Sequence, residues 1–498
     1  MIPADFVIVN GQVYNGIDTI AQEHTIAVRG DQIIYVGPSQ GIRFDGARVI
    51  NAADKIVCPG FIDPHTHADR ELKEADKADN LPFLMQGVTT VVVGSDGDSY
   101  FPSSKFKTLY EAHGIGTNAI MMVGHGRVRS LIVGRSNRAA TAEEISRMQR
   151  AVALEMEAGA FGLSSGLFYA PGSYANTEEV IALAEVVAKK GGVYESHLRD
   201  EGSYTIGLQA AVAEAIKIGR EAEIPVQIAH IKCLGADVWG QSKTIVDMVN
   251  EARAEGIQVT ANQYPYDASA TGLQAAVVPR WAESGGTDSL RQRYEDPELR
   301  ERILADTRAN ITRRGGPDKL LLVMVEDSAF LGKTVMEVAQ DLQLSPEEAV
   351  FEILATGTVR IASFNMQPND IHQFMQQPWV VTGSDGNTGH PRKYGSFPRK
   401  YRKYVVEDKV ISLAHFINNS SARTARFFGI PKRGELREGY YADLLVIDPE
   451  FYRDEATYTD AFAYAKGLKY CLLNGKLVVD NGAYRGVRHG RVLTRERF

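Results

Sequence analysis

His65 and His67 stand one residue apart in PGFIDPHTHADR, directly after an apolar run. On an extended chain, side chains two apart share a face with Cα atoms about 6.6 Å apart, so both imidazoles could reach one ion. Such a pair also arises by chance, and its meaning depends on what stands beside it. Five more groups of the same chemistry follow strand-like runs: Asp96 in VVVGSDG, His125 in VGHGR, His197 in YESHLRD, His230 in IAHIKC and Asp385 in VVTGSDGN. Any one of these alone is more often a cap or a hydrogen-bonded loop residue. Four imidazoles and two carboxylates directed at one mouth are another matter, because they are costly to desolvate unless a divalent cation is shared among them. His125 stays open between a loop role and a ligand role, and the remaining histidines, including His24, His113, His372, His415 and His489, have no comparable setting.

The elements that would bring these groups together are legible as a pattern. Eight short apolar runs, VCPGFIDPHTH, TTVVVGSDG, NAIMMVGHG, GAFGLSSGLFY, GVYESHLRD, PVQIAHIKC, IQVTANQYPY and WVVTGSDGN, alternate with helical stretches such as TAEEISRMQRAVALEMEAG. That alternation predicts a parallel sheet built from βα units, and eight of them fit a (β/α)8 TIM-like barrel. Thr141 opens the quoted helix with acidic residues in its first turn, as an N-cap should. In a barrel the C-terminal strand ends converge on one mouth, where active sites of this architecture sit. A polar, helix-rich stretch at about 282–350 is too long for a βα loop and predicts an inserted lid. Both chain ends read as short strands with Gly, Asp and Asn-Gly turns. The expected organisation is therefore a discontinuous β-sandwich from residues 1–57 and 426–498 around a barrel at 58–425.

Composition removes several classes of function. With 498 residues, 44% hydrophobic and 23% charged, the chain has the make-up of an ordinary globular protein. A net charge of −7 with no basic run argues against nucleic acid, and no apolar run approaches the ~20 residues of a membrane span. The N-terminal sequence MIPADFVIVNGQ lacks a basic and apolar leader, which predicts a cytoplasmic protein. Cys58, Cys233 and Cys471 are far apart without CxxC spacing, so they are expected to be buried apolar residues. A small-molecule partner and homo-oligomerisation are both compatible with the composition.

In order and combination the segments CPGFIDPHTHAD, GVTTVVVGSDG, EAGAFGLSSGLFYAPGSYANTEE, YESHLRDEG, IAHIKC, NQYPYDASATGL, GSDGNTGHPRKYGSFPR and LREGYYADLLVIDP resemble the amidohydrolase superfamily and, within it, the N-acyl-D-amino-acid deacylase (D-aminoacylase) family, over essentially the whole chain. The resemblance implies a hydrolase of linear amides. His197 and His230 would bind the tighter metal, with His65, His67 and Asp385 forming a second site and the catalytic aspartate. One or two ions are implied, zinc foremost and manganese as the alternative. The family commonly places a bridging cysteine where this chain has Asp96, a harder ligand that still suits zinc. It commonly has a small residue where this chain has Glu195, which reads either as an extra ligand or, the favoured expectation, as a partner of Arg199 or Lys232. The implied chemistry is attack by a metal-activated hydroxide, with Asp385 as base and then acid. Tyr169, Lys232, Arg280 and Arg392 are candidates to hold the substrate carboxylate. Hydrolysis of a cyclic amide or dipeptide is the alternative reaction, and a non-catalytic scaffold is disfavoured because the whole ligand set is present.

Overall fold

Val88–Val93 reads VTTVVV and is buried along its whole length, as expected of a strand covered on both faces of a parallel sheet. It is the second of eight such strands: β1 Phe61–Asp63, β2 Val88–Val93, β3 Asn118–Gly124, β4 Gly162–Gly166, β5 Val193–His197, β6 Val226–Ile228, β7 Val259–Gln263 and β8 Val380–Thr382. Each pairs in parallel with its neighbour in chain order, which is the topology of a (β/α)8 barrel. The structure is a computed structural model and describes residues 2–38 and 40–495.

The seam between β8 and β1 closes just beyond both strands. Thr66 and Gly386 form a parallel bridge, Asp385 N–H donates to the His65 carbonyl at 3.0 Å, and His67 N–H donates to the Gly386 carbonyl at 3.2 Å. The His-x-His pair therefore lies in the closing turn after β1, and its position is set by the backbone of the Asp385 loop. Asp63, buried at the end of β1, accepts from Ser384 N–H at 3.0 Å and from His65 N–H at 3.3 Å.

Helices cover the barrel. Ala142–Glu157 starts with a reciprocal capping box between Thr141 and Glu144, which satisfies two otherwise orphaned amides. It buries Met148, Val152 and Met156 in a core shared with Thr177–Ala188, Leu208–Glu221 and Ser242–Ala254. Among the described residues, no helix is long and apolar enough to cross a membrane.

The insertion is wider than the expected 282–350. Ala268–Gly272, Leu320–Met324 and Arg360–Phe364 form an antiparallel sheet, and the helices between them share a core with it around Leu273, Ile303, Leu322, Val350 and Ile361. The short strand ASATG carries no large apolar side chain, so only its pairing with Arg360–Phe364 reveals where the insertion begins and ends. At the other pole, both chain ends share one six-stranded sheet. Ile56–Pro59 runs across the boundary expected at 57/58 and pairs antiparallel with Leu444–Ile447. This sheet packs on the four-stranded sheet of Phe6–Val9, Thr25–Arg29, Gln32–Gly37 and Arg48–Asn51 through Ile8, Ile26, Val57, Leu444 and Leu472.

Candidate metal centre

Asp96 is the hub of the barrel mouth. It sits in the turn after β2 with φ 56°, and the chain around it is pinned from β4: Ser164 Oγ donates to the Gly94 carbonyl and accepts from Gly97 N–H. Glycine is required here. A Cβ on Gly166 would lie 2.1 Å from the Asp96 carbonyl oxygen, and one on Gly97 2.7 Å from Gly166 N. Close contact between the β2 and β4 ends thus fixes where the Asp96 carboxylate points.

Four imidazoles surround that carboxylate. Asp96 Oδ1 lies 3.3 Å from His65 Nε2, 3.2 Å from His197 Nδ1 and 3.4 Å from His230 Nε2, and Oδ2 lies 3.4 Å from His67 Nε2. Asp385 Oδ1 adds contacts of 3.3 Å to His67 Nε2 and 3.7 Å to His65 Nε2. Two groups result, His65, His67, Asp96 and Asp385 on one side and Asp96, His197 and His230 on the other, with Asp96 common to both. His230 and Asp385, like Asp96, have left-handed φ values, of 32° and 48°. Backbone strain at three converging side chains is characteristic of a functional site.

The donor set fits a divalent cation. Two ligands held at about 2.1 Å from one zinc at a tetrahedral angle lie about 3.4 Å apart, which is the spacing observed around Asp96. His65 Nε2 is buried without a hydrogen-bond partner while its Nδ1 lies 2.8 Å from Glu195 Oε1, so the ring presents a bare nitrogen to the cluster. Burial pushes the Asp96 carboxyl up, but His65, His197 and His230 outweigh it and hold the group well below the usual carboxylate range.

Glu195 corrects the sequence expectation. Arg199 pairs with Glu214 at 2.8 Å and Lys232 with Glu201. Glu195 instead orients His65 from the far side of the barrel, 2.8 Å away and steadied by Asn262 Nδ2 at 3.3 Å. Such a carboxylate behind a ligating imidazole fixes its tautomer and raises its basicity. Glu201, which sequence reasoning passed over within YESHLRDEG, lies 3.0 Å from His230 Nδ1 and 3.8 Å from His197 Nε2. Each group of imidazoles therefore has its own buried glutamate.

The other candidates divide. Tyr169 packs at a tilt against His197, ring centres 4.7 Å apart, and lines the cleft. Arg392 Nη2 lies 2.8 Å from Asp385 Oδ2, while its Nε and Nη1 are buried without partners. Tyr264 stands 4.7 Å from the Arg392 guanidinium and 5.8 Å from Lys232 Nζ, and its hydroxyl is also buried and unpartnered. Tyr264 went unnoticed within the quoted NQYPY segment, where nothing distinguishes its ring from a core tyrosine. Arg280 lies apart from this group: it stacks 4.2 Å over Phe168 and donates to the Phe168 carbonyl at 2.7 Å. His125 is outside both imidazole groups, with Nε2 2.9 Å from Glu179 at the start of a helix. A cleft of about 370 Å³ reaches His67, Asp96 and Asp385, with Tyr169 on one wall and Thr271 and Arg360 of the insertion on another.

An Asp-centred histidine cluster at the mouth of a (β/α)8 barrel, with a terminal β-sandwich, is the architecture of a metal-dependent amidohydrolase. The amidohydrolase family model matches residues 48–479, and the chain belongs to that family. It is 31% identical to the D-aminoacylase of Alcaligenes xylosoxydans xylosoxydans over 99% of this chain and 98% of the relative. It is 30% identical to the N-acyl-D-aspartate deacylase of the same organism, over 98% and 95%. Among solved structures, the N-acyl-D-glutamate deacylase of Bordetella bronchiseptica, complexed with zinc and a phosphonate inhibitor mimicking the tetrahedral intermediate, superposes with a TM-score of 0.84 at 27% identity, covering 99% of this chain and 100% of that one.

Proposed function

We propose that the protein is a zinc-dependent hydrolase of N-acyl-D-amino acids. The observation that carries this reading is Asp385, which faces the imidazole cluster with one oxygen and the buried Arg392 with the other. His197, His230 and Asp96 would hold one ion, and His65, His67 and Asp385, again with Asp96, a second. A divalent ion bound there supplies Lewis acidity toward an amide carbonyl and lowers the pKa of an adjacent water from about 15.7 to about 7.

The chain's own residues supply the remainder. Burial pushes the Asp385 carboxyl up, but Arg392, His230 and His67 more than compensate and keep it ionised. An ionised Asp385 can take a proton from the attacking water and return it to the amide nitrogen, which must leave as an amine. The partnerless Arg392 Nε and Nη1, on a guanidinium that lies over the Tyr264 ring and beside Asp385, would suit a free α-carboxylate. Lys232 lies at the same wall, its charge answered by Glu201. Tyr169 and Thr271, 3.3 Å apart, would close the cleft over the acyl group.

Metal analysis of the purified protein, with rates for matched N-acetyl-D- and N-acetyl-L-amino acids, tests the proposal. Bound zinc and hydrolysis confined to the D series are expected. A protein without metal that neither zinc nor manganese activates, or one that prefers the L series, overturns it.

A further inference from the structure

His390, between the Asp385 turn and the helix Arg392–Arg399, is completely buried yet belongs to neither imidazole group. Both of its ring nitrogens are committed. Nε2 lies 3.1 Å from the Ala268 carbonyl, and Nδ1 lies 3.0 Å from the Arg392 backbone N–H. A carbonyl can only accept and an amide N–H can only donate, so Nε2 carries the proton, Nδ1 is bare and the ring is neutral. Burial, with the Arg392 charge beside it, holds the imidazole well below its usual range in the same sense.

The two partners belong together. Ala268 starts the inserted strand Ala268–Gly272, and the Ala270 carbonyl of that strand accepts from Arg392 Nη2 at 3.3 Å. One short strand therefore holds Arg392 twice, at its main chain through His390 and at its guanidinium directly. The Arg392 amide is also a first-turn donor of its helix, where Pro391 provides no side-chain cap, so His390 answers a group that the helix leaves open. Tyr266 and Tyr458 stand nearly perpendicular to the imidazole, ring centres 5.3 and 5.0 Å away, and Tyr458 donates to Asp267 at 3.2 Å. The ring cannot turn from either bond without displacing them. Arg392 Nη2 answers Asp385 Oδ2 and the strand, which leaves Nε and Nη1 open. Where those donors point is set by where the Arg392 main chain is held.

We propose that His390 is a positioning residue: it ties the Arg392 main chain to the inserted strand and so aims the open donors of the guanidinium at the substrate carboxylate. The inference rests on the reaction proposed above, in which Arg392 meets that carboxylate, and it gives the insertion a part in building the site.

Steady-state kinetics with N-acetyl-D-leucine in the wild-type protein, His390→Leu, His390→Asn and His390→Gln test this, with bound metal measured on each preparation. His390→Leu should raise KM by roughly 10–100-fold, the worth of a charge-assisted contact to a carboxylate. Bound metal should not change, and kcat should stay within about 3-fold because His230 and His67 still face Asp385. Asparagine offers an acceptor to the amide two residues on but falls short of Ala268, whereas glutamine reaches toward Ala268 without an acceptor at the Nδ1 position. Each should therefore raise KM, and by less than leucine does. A wild-type KM in His390→Leu, a fall in kcat with KM unmoved, or a KM change that comes with loss of metal overturns the proposal. Should the leucine variant not fold, the other two decide, and a wild-type KM in both overturns it. If the wild-type protein hydrolyses no N-acyl-D-amino acid, the reaction itself has been misread, and butyrate binding by titration calorimetry still reads the arginine. A loss of about 10-fold or more is expected there in the variants, and equal affinity, or no binding to the wild type, overturns the inference.

Discussion

Two buried polar clusters sit at opposite ends of the barrel and are built on opposite terms. At the lower end Asn118, the first residue of β3, meets Asp443, Arg433 and Asn474 from the C-terminal region. Asp443 accepts from Arg433, from Asn118 at 3.2 Å and from Asn474 N–H at 2.7 Å. Asn474 accepts from Arg433 at 2.7 Å and donates to Asn118 at 2.9 Å. None of these four side chains has a buried atom without a partner. At the mouth, by contrast, His65 Nε2, Glu195 Oε2, the Tyr264 hydroxyl, and Arg392 Nε and Nη1 are all buried and unanswered. A closed network holds the fold together, whereas an open one is completed by something that binds.

The contrast breaks most sharply at the mouth. Asp385→Asn removes the base, so kcat should fall by about 10²–10⁴ while the ion expected at Asp96, His197 and His230, a group without Asp385, is retained. Turnover and metal content measured on the same preparation check this. A variant that keeps its metal and stays within a few-fold of wild-type activity would remove Asp385 from the proposed role. At the closed network the same kind of change should act on stability instead. Asp443→Ala leaves the buried Arg433 charge unpaired and should cost about 3–5 kcal/mol in denaturant unfolding. At a temperature where the variant is folded, its kcat/KM should match the wild type.

Lys400 tests whether every unanswered atom implies a ligand. Its amine is fully buried without a partner, outside the lining of the cleft, and beside His415. Burial lowers it from 10.5 to about 7. Below pH 7 the amine is charged in both folded and unfolded chains and the burial cost is fully present. Between pH 7 and 10.5 the unfolded chain holds the proton more tightly, so stability rises with pH and the cost fades. Lys400→Met should therefore stabilise the protein by on the order of 4 kcal/mol at pH 7 and by roughly half that at pH 9, with kcat/KM unaltered. A gain that does not shrink with pH would mean that the amine is uncharged or solvated in the folded protein.

The mouth was legible in the sequence because its histidines and aspartates interrupt apolar strands, and strand order in a parallel barrel converts those interruptions into neighbours. Asp96, His197, His230 and Asp385 are separated by up to 289 residues yet could be grouped by strand-end position alone. What lies behind these side chains was not legible. Glu195 shares a strand face with His197, which pointed to Arg199 or Lys232 as its partner, but register places it against His65, 130 residues away. Arg280 was a plausible carboxylate binder by type, but Phe168, Glu283 and the Ala275 and Val278 carbonyls take up its guanidinium. The strand Ala268–Gly272 carries too little side-chain signal to mark the edge of the insertion.

Glu195 gives the smallest and most discriminating effect. Its Oε1 accepts from His65 Nδ1, so Glu195→Gln preserves shape and removes the charge that makes His65 a better donor and fixes its tautomer. Loss of such a partner typically costs 10–100-fold in metal affinity, about 1.4–2.7 kcal/mol. The loss should fall on the His65, His67, Asp96 and Asp385 group, leaving the group of His197 and His230 with its own glutamate, Glu201. Metal titration should then resolve one weakened binding step and one unchanged step, and added zinc should restore activity by mass action. If Glu195 were a direct ligand, the glutamine carboxamide would coordinate poorly and excess ion would not restore the rate. If it were merely a core polar residue, metal affinity would not move and only the unfolding free energy would change.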